Sequence, residues 1–326
     1  MMLAAGGAGD VEFDIDFLVI AGGGGGGDTT DNTAGGNTTI YHMGGGGGAG
    51  GYLNSYGTDP SGGNSSTLAT LNIITGTNFT VTVGAGGAVN SNGSDSVFSG
   101  TDTSSTAFSK TATGGGRGAG GTNNDSASTG GSGGGGGWVY ANSKGTNYSS
   151  AQYDGQAGTS NQGTAGGDWA GSITPHNTFL CSILLDNYWC FDSGTSTFCA
   201  GGGGGAGSAG QDGSVNNVSS TEAGGDGGNG LASSITGSSV TRAGGGGGEY
   251  NSSRGSGTHG SGGTGYLEAG GGGQYRSAGQ NGTVILRYPN TVTISFNSAQ
   301  LTGTTATVGN DKVTTFTAGS GTVSWS

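Results

Sequence analysis

The sequence predicts a mainly β protein with irregular structure, in which short antiparallel strands join a packed bundle of polyglycine II helices with essentially no α-helix. Three observations carry that expectation. Glycine fills 83 of 326 positions, against a usual ~7%, and much of it stands in unbroken runs at 22–27, 44–48, 133–137, 201–205, 244–248 and 270–273. Short apolar segments flank the runs at both ends of the chain with the two-residue alternation of strands. No stretch shows helical periodicity.

The strands fall mostly at the two ends. Residues 17–20 are apolar and lead directly into the first run. Residues 68–74 and 79–83, split by Thr75-Gly76-Thr77-Asn78, read as a hairpin, because Phe79, Val81 and Val83 alternate with Thr80 and Thr82. Residues 96–98 and 107–113 supply further short strands. After the glycine-rich middle, 283–288, 291–296, 312–317 and 322–325 form a short antiparallel sheet expected to pair with the first strands, bringing both chain ends to one pole.

Glycine runs are either slack or scaffold. Extended as a threefold helix, a run rises ~3.1 Å per residue and makes no internal hydrogen bonds, so its N–H and C=O groups radiate in three directions. Without Cβ atoms, neighbouring rods approach closely enough to bond to one another. Flexible linkers mix in serine, whereas these runs admit little besides alanine, as in 201–207 and 118–121. Tyr41, Tyr52, Trp138, Tyr140, Tyr250, Tyr266 and Tyr275 stand near run ends, where an apolar ring with a polar tip suits a cap. Gly22, Gly24, Gly46, Gly135, Gly203, Gly246 and Gly272 are therefore read as scaffold positions.

Composition removes several functions. Leu, Ile, Val and Phe fall below the ~20% that favours an ordinary core, yet only 9% of residues are charged and the net charge is −12, too little to hold the chain open by repulsion. Eight scattered Lys and Arg form no basic stripe for nucleic acid. Residues 1–16 carry acids and no basic lead, which is not a signal-peptide pattern. With no apolar stretch near ~18 residues, membrane insertion is not expected.

Chemistry has little to stand on. His42, His176 and His259 lack a neighbouring nucleophile or base, and no glycine run is followed by the Lys-Ser/Thr and helix of a phosphate loop. Cys181, Cys190 and Cys199 match no zinc spacing and read as small hydrophobes, with one disulfide among them left open. The acids Asp10, Asp14, Asp16, Asp28 and Asp31 follow no calcium-loop pattern. No enzyme activity, cofactor or metal is expected.

Several motifs agree in order with a known family. Phe17-Leu18-Val19-Ile20-Ala21 enters residues 22–27; residues 44–51 end on Tyr52; Phe79-Thr80-Val81-Thr82-Val83-Gly84-Ala85-Gly86-Gly87 and Gly93-Ser94-Asp95-Ser96-Val97-Phe98 follow. Ala232-Ser233-Ser234-Ile235-Thr236-Gly237 leads into 244–248, and Gly282-Thr283-Val284-Ile285-Leu286-Arg287-Tyr288-Pro289 closes the series. Over residues 16–325 the chain resembles the glycine-rich domain of bacteriophage tail and adhesin proteins. The resemblance implies a virion component at an exposed surface, a tail-fibre tip that binds a host surface protein or glycan through loops displayed on polyglycine rods. Its partners would be other fibre or tail subunits, as a homo-oligomer or bound to an oligomeric fibre. The alternative is a purely structural capsid-fibre, decoration or tail protein.

The expected organisation is an N-terminal segment 1–16 with a role in attachment, a β-unit 17–113, a rod bundle with display loops 114–282, and a C-terminal strand region 283–326. Residues 172–200 form the one aromatic concentration outside the strands, so Phe179, Tyr188, Trp189 and Phe191 are candidate receptor contacts, with an inward-folded satellite core or a subunit contact as the competing readings. Tyr148, Tyr153 and Trp169, set among Asn, Ser and Gln, are a second group suited to stacking on sugar rings.

Overall fold

A computed structural model describes residues 10–28, 39–120, 126–142, 150–172, 197–214, 223–252 and 261–326. The described residues contain strands, one short 3-10 turn at Gly62–Asn64 and no helix of seven or more residues. Two bodies share them: an antiparallel sheet nearly closed into a barrel, and a slab of glycine rods on one end of it.

The sheet has ten strands: β1 (Glu12–Ile20), β2 (Tyr52–Asn54), β3 (Leu71–Ile74), β4 (Asn78–Val83), β5 (Ser96–Thr101), β6 (Ala107–Ala112), β7 (Thr283–Pro289), β8 (Ile294–Phe296), β9 (Leu301–Val308) and β10 (Asp311–Trp325). They run in the order β2-β1-β7-β10-β4-β5-β6, with β3 on β1 and with β8 and β9 on β10. The first strand of the chain thus pairs with the first strand of the C-terminal region as expected, Ile20 opposite Thr283 and Asp16 opposite Arg287. The separate strands expected at 312–317 and 322–325 are one strand, β10. Its first half lies against β7 and its second against β4, and it passes from one partner to the other around Gly319 (φ 98°).

The expected hairpin of 68–74 with 79–83 does not form. β3 pairs with residues 12–15 of β1, while β4 pairs with β10 and β5. Gly76, at φ 76°, donates its N–H to the Trp325 carbonyl, so the turn parts the two strands toward different neighbours. Local alternation identified both strands, but the partners that stabilise them are distant in sequence.

Alternation along β1 builds two cores. Phe13, Ile15, Phe17 and Val19 point into the barrel with Phe79, Phe98, Leu286, Phe316 and Trp325. Leu18 and Ile20 point outward, yet they are buried too, against Tyr52, Ala206, Leu231, Ile235 and Ala243. The hairpin Leu231–Ser233/Val240–Arg242 and the alanines at the rod ends cover that outer face. Aromatic rings meet edge-on in the barrel, with Trp325 5.4 Å from Phe79 and 5.6 Å from Tyr288, the arrangement their quadrupoles favour.

The rods are continuations of the strands. β1 runs into 21–27, β4 into 84–88 and β6 into 113–119, while β2, β5 and β7 emerge from rods. Among the described residues, strand and rod alternate from 12 to 119, residues 126–282 add rods and small sheets to the slab, and residues 283–326 add strands to the barrel.

Candidate functional site

The slab is held by backbone bonds that change partner at every residue and return to the same partner after three. Along 22–27 the N–H groups donate to Ser94, Gln280, Gly48, Ser91, Ser277 and Gly45 in turn. Residues 22 and 25 therefore address one neighbour, 23 and 26 a second, and 24 and 27 a third. The carbonyls do likewise: those of 22 and 25 accept from Gly115 and Gly118, those of 23 and 26 from Gly87 and Asn90, those of 24 and 27 from Gly273 and Arg276. Three antiparallel and three parallel neighbours surround this rod and leave no peptide group unpaired. Residues 44–51 and 200–206 are likewise each surrounded by six neighbours, most of them antiparallel. This is the threefold extended helix packed hexagonally, each rod satisfying its backbone through others.

Glycine is needed here for its missing side chain, more than for its freedom of rotation. Apart from Gly270 (φ 75°), where the chain turns into 270–273, no residue of these runs has a positive φ. A Cβ on Gly46, however, would overlap the Gly246 carbonyl. On Gly22 it would meet Ala85, on Gly24 Gly116, on Gly135 Gly201, on Gly203 Gly47, on Gly246 Gly273, and on Gly272 Gly47. All seven predicted scaffold glycines thus lie inside the slab against another backbone. Alanine enters mainly where rods end, as at Ala21, Ala119, Ala200 and Ala206, each fully buried.

Bond directions locate the end of the slab remote from the barrel. Residues 21–27 leave β1, so Gly27 is far from it. From there, bonds cross the far face: Gly27 to Gly45, Gly45 to Ala119, Ala119 to Gly135, Gly136 to Gly167, Gly201 to Gly136, Gly225 to Ala200, Ala200 to Glu249, and Glu249 back to Gly44. Asp28, Gly120, Asn142, Ser172, Ser214 and Ser252 lie at this pole, as do Thr39, Ser126, Ser150, Thr197, Ala223 and Ser261. Two three-stranded sheets sit there as well. One consists of Thr39–Met43, Gly137–Asn142 and Ser150–Tyr153, the other of Ala170–Ser172, Thr197–Cys199 and Tyr250–Ser252.

Side chains complete the rods where no further rod follows. Asp168 Oδ1 accepts the Gly155 N–H, Asp212 Oδ1 that of Asp168, Asp226 Oδ1 that of Ser261, and Asn90 Oδ1 that of Asp28, at 2.7–2.9 Å. Glu249, only 6% exposed, accepts the Gly44 N–H at 3.0 Å, and its other oxygen lies 3.8 Å from Arg276 Nη2. These contacts work as N-caps do, a side-chain oxygen standing in for a missing carbonyl. Sequence reasoning missed them, although the signal was present in Asp, Asn or Glu set among glycines.

Of the predicted contacts, Trp169 is half-buried and packs against buried Met43 and Ala200. Tyr153 ends a strand of the first small sheet, its backbone opposite Gly137. Phe179, Tyr188, Trp189, Phe191 and Tyr148 lie outside the described residues, as do Cys181, Cys190, His176 and His259. Cys199 is buried, with Sγ 3.1 Å from the Ser214 carbonyl. Among the described residues, no group of His, Cys, Asp and Glu is placed to hold a metal. A shallow hollow lined by Val11, Thr75, Gly76, Val292 and Trp325 opens at the barrel pole, away from Trp169.

The family of glycine-rich domains matches residues 11–289, from the start of β1 through β7. No curated protein and no solved structure matches the chain. Strand-to-rod continuity, the hexagonal slab and this match over most of the sequence agree: the chain belongs to the glycine-rich domain family.

Proposed function

We propose that this chain is a bacteriophage virion adhesin of the tail-fibre tip, binding a host surface protein or glycan without chemistry. The observation that carries the proposal is the pairing of Ser172 with Thr197 in a small sheet at the pole remote from the barrel. The aromatic segment 172–200 starts and ends there, beside Trp169. A frame whose peptide groups are saturated holds those anchor points still, which lowers the ordering cost of binding through the segments between them. The first and last described strands, β1 and β10, belong to the barrel, so the barrel pole serves for attachment to other virion subunits.

The test is adsorption by particles carrying Trp169→Ala or Trp189→Ala. An adhesin loses adsorption by about tenfold or more while particle yield and composition hold, as expected for truncating a binding hot spot. Particles that fail to assemble would support the purely structural virion role instead. Unchanged adsorption by both variants would remove these two rings from the receptor contact.

A further inference from the structure

The family match ends at Pro289, but the sheet does not. Within the matched part, β2-β1-β7 and β4-β5-β6 are two half-sheets, and β10 joins them by pairing with β7 along its first half and with β4 along its second. Closure of the barrel requires β10. It does not require β9, which pairs with β10 along residues 301–308 and has no second strand. Among the described residues, nothing hydrogen-bonds to the outer edge of β9. Residues 304–307 are exposed on both faces.

Other outer strands are protected. β2 and β8 are three residues long. β3 is met at the Asn72 carbonyl by the Thr103 N–H, and β6 at the Thr111 carbonyl by the Gln162 amide. β9 has eight residues, no proline and no charge, the profile of an edge that templates pairing.

We propose that β9 is a self-association edge, through which two copies of this chain pair antiparallel along residues 302–308 and continue the sheet across a two-fold axis. A second copy is the occupant because of charge. The chain carries −12, so its copies repel over most of their surface, whereas Thr302, Gly303, Thr304, Thr305, Ala306, Thr307 and Val308 form a neutral seam. The charges at the adjacent hairpin tip are turned inward: Asp311 binds Arg287 at 2.8 Å and Lys312 donates to the Val292 carbonyl at 2.8 Å. Antiparallel pairing centred on residue 305 sets Thr305 against its own copy, a favourable cross-strand combination, with Thr304 opposite the small Ala306.

The test is sedimentation equilibrium of the full chain at concentrations up to about 1 mM, which reaches weak edge-only contacts. The wild type is expected to dimerise, and Thr304→Lys to weaken the dimer at least tenfold with an unchanged melting midpoint. Amide exchange of wild-type residues 302–308 should also slow as concentration rises, a readout independent of any variant. A wild type that stays monomeric throughout overturns the proposal. So does a folded Thr304→Lys protein that dimerises like wild type, or exchange at 302–308 that ignores concentration.

Discussion

The barrel and the slab solve the same problem with opposite materials. In the barrel, Phe13, Phe17, Phe79, Phe98, Phe316 and Trp325 fill the interior, and backbone bonds run only between adjacent strands. In the slab there is almost nothing to bury, and backbone bonds run to neighbours all round each rod. The first body is stable because large side chains leave water, the second because small ones let carbonyls and amides reach each other. The difference teaches that low apolar content here marks a change of glue rather than a lack of structure.

Substitutions of opposite sense should therefore break the two regions. The largest effect is expected in the slab: Gly46→Val forces a branched side chain into the Gly246 carbonyl and should abolish cooperative folding, a loss beyond the ~4–5 kcal/mol of exceptional single substitutions. Thermal melting and protease resistance check it, and an unaltered midpoint would mean that the rods do not pack. Next comes the barrel in the reverse direction. Phe79→Ala removes a ring lying against Phe98, Phe108 and Trp325 and should cost about 3–5 kcal/mol in denaturant unfolding.

Two smaller changes sharpen the comparison. Asp226→Ala deletes the cap on the Ser261 N–H and should cost about 1 kcal/mol, with Asp226→Asn restoring most of it. Gly57→Ala should cost a similar ~1–2 kcal/mol for a different reason. Nothing crowds that position, but its φ is 58°. Gly57 thus needs rotation while Gly46 needs absence, and comparing their alanine variants separates the two uses of glycine.

The smallest effect concerns pH. Burial pushes the Asp16 carboxyl above its ordinary range, against hydrogen bonds from Thr70 and Ser55 that pull it down. A raised folded-state value means that ionisation costs the folded protein more than the unfolded one. The cost is absent below the unfolded value and complete above the folded one. Asp16→Asn should accordingly melt slightly higher than wild type at neutral pH, with the gap closing below about pH 4.

How legible this was in the sequence varies by region. The apolar run of β1, the β7 segment before Pro289 and the purity of residues 22–27 and 44–48 announced strands, chain-end pairing and rods. The 75–78 hairpin misled because two alternating segments across a tight turn look local, while β1 and β10 offered them longer partners. Trp169 was singled out for its ring, and the structure adds what its ring rests on, Met43 and Ala200. The caps at Asp168, Asp226 and Glu249 went unread because a lone acid among glycines looks like solvation until the missing carbonyl beside it is known.

The three-residue return of the rod bonds has a consequence for how such a chain can diverge. Losing one residue within 22–27 would turn each later amide toward the wrong neighbour, whereas gaining or losing three would restore every pairing one step along. Lengths between the rods at the far pole obey no such count. Insertions and deletions should accumulate there freely and occur in the slab only as triplets, so that lineages exchange what they present while inheriting the same lattice.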